Sequence, residues 1–197
     1  TRREAILAGA AVLESPAQAQ LRNEPFGGAS FAEAIAAIET RSRGRLGVAV
    51  RDSSSGRRFV HRGDERFPMA STFKFLLVGA VLTQVDRGRE RLERGIQVRR
   101  GDIVPHAPVV QRNVGRSMTV EQLCEATMVE SDNAAANLLL AAIGGPAGLT
   151  SFCRGIGDGV TRLDRIEPAL NEARTGDERD TTTPAATAAA STNVLAP

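Results

Sequence analysis

The chain has 197 residues, 42% of them hydrophobic, which is enough to bury one sizeable core or two small sub-domains that share one. Its formal net charge is only +2, from 25 basic and 23 acidic side chains with no long block of either sign. This balance excludes a polyanion-binding surface spread over the whole chain and argues against nucleic acid as a partner.

The first 19 residues have the form of an export signal peptide. Arg2 and Arg3 precede a short apolar stretch from Ala5 to Leu13, and Ala17-Gln18-Ala19 has the small-x-small form of a cleavage site. The stretch is too short to span a bilayer. We therefore expect residues 1–19 to direct export to the periplasm, the paired arginines favouring the twin-arginine route, with no membrane attachment after cleavage.

Residues 20–67 predict a helix followed by a β-hairpin. Ser30 and Glu33 have capping-box spacing at the start of an apolar period that continues to Arg43. Residues 46–50 have the apolar pattern of a buried strand, and residues 57–61 that of its returning partner. This part of the chain is expected to belong to a mixed α/β sub-domain.

From Pro68 to the end, the pattern predicts an all-helical sub-domain over residues 68–197. The expected helices cover residues 71–85, a segment opened by the capping box of Thr119 and Gln122, residues 133–143, and a segment opened by Pro146. Residues 158–183 show no sustained period and predict a long loop, with a functional segment at about 161–180. Thr183 and Pro184 would cap a last helix.

Ser71 and Lys74 provide the first chemical signal. Three residues apart at the start of a helix, their side chains share one face, next to backbone N–H groups that help to stabilise negative charge. Lys74 is also the only lysine in the sequence. Because an amine can lose its proton where a guanidinium stays charged, this lysine favours a proton-transfer role over chance retention.

Two further motifs follow in the order and spacing of a known family. Ser131-Asp132-Asn133 lies between two predicted helices, and the loop then contains Asp164-Arg165-Ile166-Glu167-Pro168-Ala169-Leu170-Asn171 and Arg179-Asp180-Thr181-Thr182-Thr183-Pro184. With Ser71 and Lys74, these motifs make roughly residues 30–185 resemble a class A serine β-lactamase. The resemblance implies an α/β fold of the β-lactamase and transpeptidase type, and hydrolysis of β-lactam antibiotics through a serine acyl-enzyme.

The resemblance implies four catalytic residues. Ser71 would open the lactam ring, and Lys74 would take its proton or organise the proton path; which group is the acylation base stays open. Ser131 would pass a proton to the departing ring nitrogen, and Glu167 would activate the water that hydrolyses the acyl-enzyme.

The resemblance also implies the roles of five supporting residues. Asn133 and Asn171 would hold the substrate acylamide group and the hydrolytic water, and His106 would line the entrance of the cleft. Arg165 and Asp180 would pair across the neck of the loop. No metal or cofactor is expected, because the two histidines of the sequence are too few for a zinc site of ordinary composition.

Two departures from the family pattern shape the remaining expectations. Val78 occupies the position where members of the family commonly have a cysteine that pairs with the one at Cys124. Cys124 and Cys153 are therefore expected to be inert free thiols. The family pattern includes a later strand bearing Lys-Thr/Ser-Gly, but this sequence has no second lysine for it. The similar tripeptide Arg174-Thr175-Gly176 lies inside the loop instead. The sequence therefore predicts a C-terminally truncated family member with an incomplete antiparallel sheet.

The sequence is also compatible with three alternatives to an active hydrolase. The chain is a catalytically dead fragment if the lost strands remove too much of the oxyanion hole. It is a partner-dependent half enzyme if its exposed sheet edge pairs with another chain or a second copy, although the family is usually monomeric. It is a penicillin-binding or transpeptidase-like protein if acylation is not followed by hydrolysis, a reading that Glu167 and Asn171 disfavour.

Overall fold

The structure is a computed structural model that describes residues 29–195, excluding the side chain of Leu195. The predicted signal peptide at residues 1–19 lies outside the described residues. The described elements, in chain order, are α1 (Ala29–Ser42), β1 (Val48–Arg51), β2 (Arg58–His61), β3 (Phe67–Pro68), α2 (Phe73–Asp86), β4 (Gly95–Gln97), β5 (Ser117–Thr119), α3 (Val120–Val129), α4 (Asn133–Ala142), α5 (Gly145–Gly155), β6 (Thr181–Thr182) and α6 (Pro184–Leu195).

The strands form three antiparallel pairs. β1 and β2 make the expected hairpin, with Val48 opposite His61 and Arg51 opposite Arg58. β3 pairs with β6 across more than 100 residues of chain, and β4 pairs with β5. The last pair lies within the region predicted to be all-helical. Strands of three residues are too short to show a reliable alternation, which is why the sequence did not reveal them.

The core surrounds α2, whose long apolar run packs against α3, α4 and α5. Its fully or almost fully buried apolar side chains are Phe73, Leu76, Leu77, Ala80 and Val81. A helix that is apolar on most of its circumference has to be covered on several sides. The three surrounding helices and α6 provide this cover.

The last helix joins the two predicted sub-domains. α6 packs against β1 of the hairpin and also against α2. At the second contact, a Cβ atom on Gly79 would lie 2.7 Å from Val194, so only glycine permits this close approach. Thr183 Oγ1 accepts a hydrogen bond from the Ala186 N–H at 3.2 Å, which gives α6 the N-cap that the sequence predicted.

The capping box of α3 is confirmed in detail. Thr119 Oγ1 accepts from the Gln122 N–H at 3.1 Å, and Gln122 Oε1 accepts from the Thr119 N–H at 2.9 Å. The described part of α1 runs from Ala29, and Ser30 lies within the helix. No single described helix is long and apolar enough to cross a membrane; by length and composition alone, only α4 and α5 together pass that test, bent by 72°.

Candidate active site

Ser71 and Lys74 lie where the chain turns from β3 into the buried helix. Residues Ala70–Thr72 form one 3-10 turn, and α2 follows directly. Ala70 has a φ of 43°, a left-handed conformation that is costly for a residue with a side chain. This strained turn places Ser71 at the helix N-terminus, where backbone N–H groups have no partner within the helix.

The Lys74 ammonium group occupies the centre of the site. Its Nζ lies 3.3 Å from Ser71 Oγ and 3.0 Å from Ser131 Oγ, and it donates to the Ser131 carbonyl oxygen at 2.6 Å. Asn133 Oδ1 accepts from the same nitrogen at 2.6 Å. Glu167 Oε1 lies 3.6 Å away, which is an ion-pair distance rather than a hydrogen bond. The sequence motifs therefore converge on one amine.

Burial adjusts the protonation of this amine. The Lys74 side chain is 3% exposed, and desolvation lowers the pKa of Lys74 below its ordinary value, while the carboxylates of Glu167 and Asp132 act in the opposite direction. An amine whose pKa is lowered accepts and returns protons more readily at neutral pH. An arginine would stay charged at this position.

Asp132 fixes the turn that presents Ser131, a role that sequence reasoning did not assign. Asp132 Oδ1 accepts from the Ala135 N–H and caps α4, while Oδ2 accepts from the N–H groups of Val109 and Val110 at 2.9 and 3.0 Å. Ser131 itself has a φ of 53°. A fully buried carboxylate with three backbone donors holds this strained turn in place.

Asn133 and His106 lie side by side at the rim of the site. The Asn133 N–H donates to the His106 carbonyl oxygen at 2.9 Å, and Asn133 Nδ2 donates to the Pro105 carbonyl oxygen at the same distance. His106 Nε2 lies 3.1 Å from the Glu130 carbonyl oxygen. His106 is exposed, a position compatible with the predicted place at the entrance.

Glu167 and Asn171 meet on one turn of the long loop. Asn171 Nδ2 donates to Glu167 Oε2 at 2.6 Å. The other carboxylate oxygen, Glu167 Oε1, is buried and accepts no hydrogen bond from any group in residues 29–195. A buried carboxylate oxygen with open lone pairs beside an ammonium group is suited to bind and polarise a water molecule.

Asn137 on α4 anchors Glu167, and the sequence analysis missed it. Asn137 Nδ2 donates to the Glu167 carbonyl oxygen at 2.9 Å, and Asn137 Oδ1 accepts from the Glu167 N–H at 3.0 Å. The one available signal was an amide on the apolar helix α4, four residues after Asn133. Such a signal does not indicate which group the amide bonds, because Glu167 lies 30 residues further along the chain.

The neck of the loop is closed by a buried ion pair. Arg165 Nε donates to Asp180 Oδ2 at 2.5 Å, and Asp180 Oδ1 accepts from the N–H groups of Asp164 and Arg165. The Asp180 side chain is 1% exposed, so this is not an ordinary surface pair. The Asp180 carbonyl oxygen also accepts from the Met69 N–H, which ties the neck to the segment leading into Ser71.

Other residues singled out in the sequence lie in different surroundings. Arg174 bonds to Glu172 in the exposed part of the loop rather than on a strand, and His61 on β2 bonds to Glu39 at 2.8 Å. Cys124 and Cys153 are free and buried, and burial raises the pKa of each thiol to about 11. Within the described part of the chain, no cluster of three or more histidine, cysteine, aspartate or glutamate side chains has the geometry of a metal site.

Comparison with known proteins identifies the family. The model of the Beta-lactamase enzyme family matches residues 30–196. The chain belongs to this family. A curated member, β-lactamase L2 of Stenotrophomonas maltophilia, is 54% identical over 155 residues, which are 79% of this chain and 51% of L2. The chain thus spans about half the length of that β-lactamase.

Solved β-lactamase structures share the fold. The class A β-lactamase of the last common ancestor of Gram-negative bacteria is 60% identical with a TM-score of 0.83, covering 85% of this chain and 64% of the ancestral protein. A β-lactamase from Xanthomonas campestris pv. campestris is 54% identical with a TM-score of 0.82, covering 83% of this chain and 61% of that protein. The predicted class A β-lactamase fold, with mixed helices and antiparallel strands, is therefore confirmed.

Proposed function

We propose that the protein hydrolyses β-lactam antibiotics, penicillins and cephalosporins among them, through an acyl-enzyme on Ser71. The observation that carries the proposal is the position of Lys74 Nζ within 3.6 Å of Ser71 Oγ, Ser131 Oγ and Glu167 Oε1. One amine thereby links a nucleophile, a second hydroxyl and a carboxylate, the set that two successive acyl transfers require.

In the first step, Ser71 Oγ attacks the lactam carbonyl carbon. Its proton passes to Lys74 in the neutral amine form, or through a water molecule to Glu167, which then hands a proton on to Lys74. The helix N-terminus next to Ser71 offers a backbone N–H to the negative charge that develops on the carbonyl oxygen. As the carbon–nitrogen bond breaks, Ser131 Oγ gives its proton to the ring nitrogen and regains one from Lys74. The products of this step are an ester on Ser71 and an open ring.

In the second step, Glu167 takes a proton from a water molecule that attacks the ester carbonyl carbon. Asn171 holds one oxygen of the carboxylate and leaves the other open. The proton returns to Ser71 Oγ as the ester bond breaks, which frees the hydrolysed antibiotic. General base catalysis of this kind contributes about 10²- to 10⁴-fold.

Asn133 and His106 would contact the substrate at the rim, and Arg165 with Asp180 would keep Glu167 within range of the ester. The hydrogen bond from Lys74 Nζ to Asn133 Oδ1 fixes the orientation of the Asn133 side-chain amide. No metal or organic cofactor enters these steps. A penicillin-binding or transpeptidase-like protein, which acylates and stops, is the second candidate, and the pairing of Glu167 with Asn171 favours hydrolysis over it.

Export to the periplasm forms part of the same proposal. The support is the sequence of residues 1–19 alone, with its paired arginines and its Ala17-Gln18-Ala19 site. A β-lactam meets its targets outside the cytoplasmic membrane, so a hydrolase in that compartment would protect them. Fusion of residues 1–19 to a reporter that works only after export tests this point.

The decisive experiment is intact-protein mass spectrometry of the full chain during incubation with a penicillin, together with a time course of ring opening. A Ser71→Ala variant is the control, and circular dichroism verifies that both proteins are folded. Ring opening by the parent chain without a lasting adduct is the expected result.

Two other outcomes contradict parts of the proposal. A persistent adduct on Ser71 would support acylation but reject hydrolysis, in favour of the acyl-trapping candidate. Folded protein with neither adduct nor ring opening would reject both steps for this chain and favour a catalytically dead or partner-dependent fragment. Ring opening that survives Ser71→Ala would remove the assigned nucleophile.

A further inference from the structure

A groove that none of the proposed catalytic residues lines adjoins the neck of the loop at Asp164. Its volume is about 630 Å³, within the range of small-ligand sites. One wall comes from α5, the other from residues 159–164, and Arg66 also lines the groove. Thr150 Oγ1 joins the walls by bonding both the N–H and the carbonyl oxygen of Leu163, at 3.0 and 3.1 Å.

Three arginines line this groove, against one aspartate. Arg154 Nη1 donates to the carbonyl oxygens of Asp158 and Thr161, and Arg66 Nη1 donates to the Val160 carbonyl oxygen. These backbone bonds hold the guanidinium groups without neutralising them. Arg162 is paired with Asp164 and Arg66 with Glu178, so the net positive charge of the groove comes from Arg154.

Each of the three guanidinium groups keeps unused donors within residues 29–195. Arg154 and Arg66 each use Nη1 for hydrogen bonds, and Arg162 uses Nε and Nη2 for Asp164. Glu178, 64% exposed, forms an ion pair with Arg66 Nε at 3.6 Å. The unused Nε and Nη2 donors of Arg154 form an edge that matches two oxygens of a phosphate group, and Arg66 and Arg162 add single unused donors.

We propose that this groove binds a small soluble organic anion with two or more phosphate groups. A single phosphate would leave most of the volume unfilled and would engage only part of the donors. A lipid headgroup is disfavoured because none of the large exposed apolar side chains, such as Val60, Met128 and Val129, lines the groove.

The groove is coupled to the active-site loop through shared residues. Asp164, the partner of Arg162, also accepts from the Asp180 N–H at 3.2 Å, and Leu163 precedes it. An anion held by Arg66 and Arg162 bridges the segment before Ser71 and the neck of the loop. Occupancy therefore reduces the local opening of residues 160–180.

The test is isothermal titration calorimetry of the full chain with ADP, and with pyrophosphate, inorganic phosphate, adenosine and citrate as comparison ligands. Two variants, Ala147→Glu and Ser151→Glu, place a negative charge at exposed positions on the α5 wall, and Ala37→Glu makes the same change on exposed α1. No lactam is present, so the result is independent of the proposed hydrolysis.

We expect saturable binding of ADP and pyrophosphate with one site per chain, weaker binding of phosphate and citrate, and none of adenosine. Each groove variant should weaken ADP binding by at least about tenfold, because like charges then face each other, whereas Ala37→Glu should change it less than about twofold. Hydrogen exchange of residues 160–180 should slow when ADP is bound.

Several results would overturn the inference. They are the absence of saturable binding, equal affinity for citrate and ADP, or ADP binding unchanged in both groove variants while circular dichroism shows them folded. Sedimentation with phosphatidylglycerol vesicles that is lost in Ala147→Glu, without ADP binding, would assign the groove to a lipid surface instead.

Discussion

The side-chain amide of Asn137 holds both backbone groups of Glu167, donating to its carbonyl oxygen at 2.9 Å and accepting from its N–H at 3.0 Å. The general base proposed for hydrolysis is thus fixed to the rigid helix α4 rather than to the loop alone. A carboxylate held in this way reaches the ester with little loss of conformational freedom.

Replacing Asn137 with alanine should therefore slow deacylation more than acylation. It leaves two buried backbone groups without partners, at a cost of about 1–3 kcal/mol in unfolding free energy. Mass spectrometry after mixing with a penicillin should show more acylated protein at steady state. Asn113→Ala, which removes a hydrogen bond from a side-chain amide to the Val109 carbonyl oxygen, is the control. An equal effect from both variants would contradict the proposal that Asn137 positions Glu167.

Removing Asp180 should open the neck of the loop. Asp180→Ala leaves the Arg165 guanidinium, 15% exposed, and two loop N–H groups without their acceptor. Arg165 keeps its bond to Glu172, so the loss of stability comes mainly from the two N–H groups, each left without an acceptor at a cost of about 1–3 kcal/mol. Arg179→Ala, which breaks an exposed pair with Asp177, should lower the free energy of unfolding much less, because exposed ion pairs contribute little.

Urea unfolding measures both variants, and hydrogen exchange locates the change. Protection should fall first in residues 160–180 of Asp180→Ala. A loss of hydrogen-exchange protection spread evenly over α2 and α4 would show that the ion pair of Arg165 and Asp180 stabilises the whole domain rather than the loop.

Glu167→Gln should convert the protein into an acyl-trapping one. The amide keeps the shape of the side chain and its bond with Asn171 but cannot take a proton, so the ester on Ser71 should decay about 10²- to 10⁴-fold more slowly. The mass of the adduct over time is the measurement. Glu125→Gln on the surface of α3 is the matched control, and a short-lived adduct in Glu167→Gln would assign the base to another group.

The two buried thiols should make stability fall at high pH. Burial raises the pKa of Cys124 and Cys153 to about 11 from the ordinary thiol value of 9.0. Their stabilising contribution is complete below pH 9 and is lost as the pH rises through 11, because the unfolded thiols ionise first. Urea midpoints at several pH values should decline over this window, and less steeply in a Cys124→Ala, Cys153→Ala double variant. Equal slopes would show that other groups control the decline.

The sequence predicted the fold well where its signals are local. Helical spacing placed Ser71 beside Lys74, capping residues placed the start of α3, and the apolar run placed α2 in the core. The resemblance carried by the motifs predicted the class A β-lactamase fold, which the comparisons confirm. No sequence pattern indicated the β4–β5 pair, because three-residue strands have no resolvable period.

By itself, the sequence determined which residues have the chemistry for acyl transfer, since side-chain type and near-neighbour spacing are properties of the chain. Only the tertiary structure decided that Asn137 anchors Glu167, that Asp132 braces Ser131, and that three arginines share one groove. The physical reason is that these contacts join segments distant in sequence, and a hydrogen bond between such segments is fixed by packing rather than by any local periodicity.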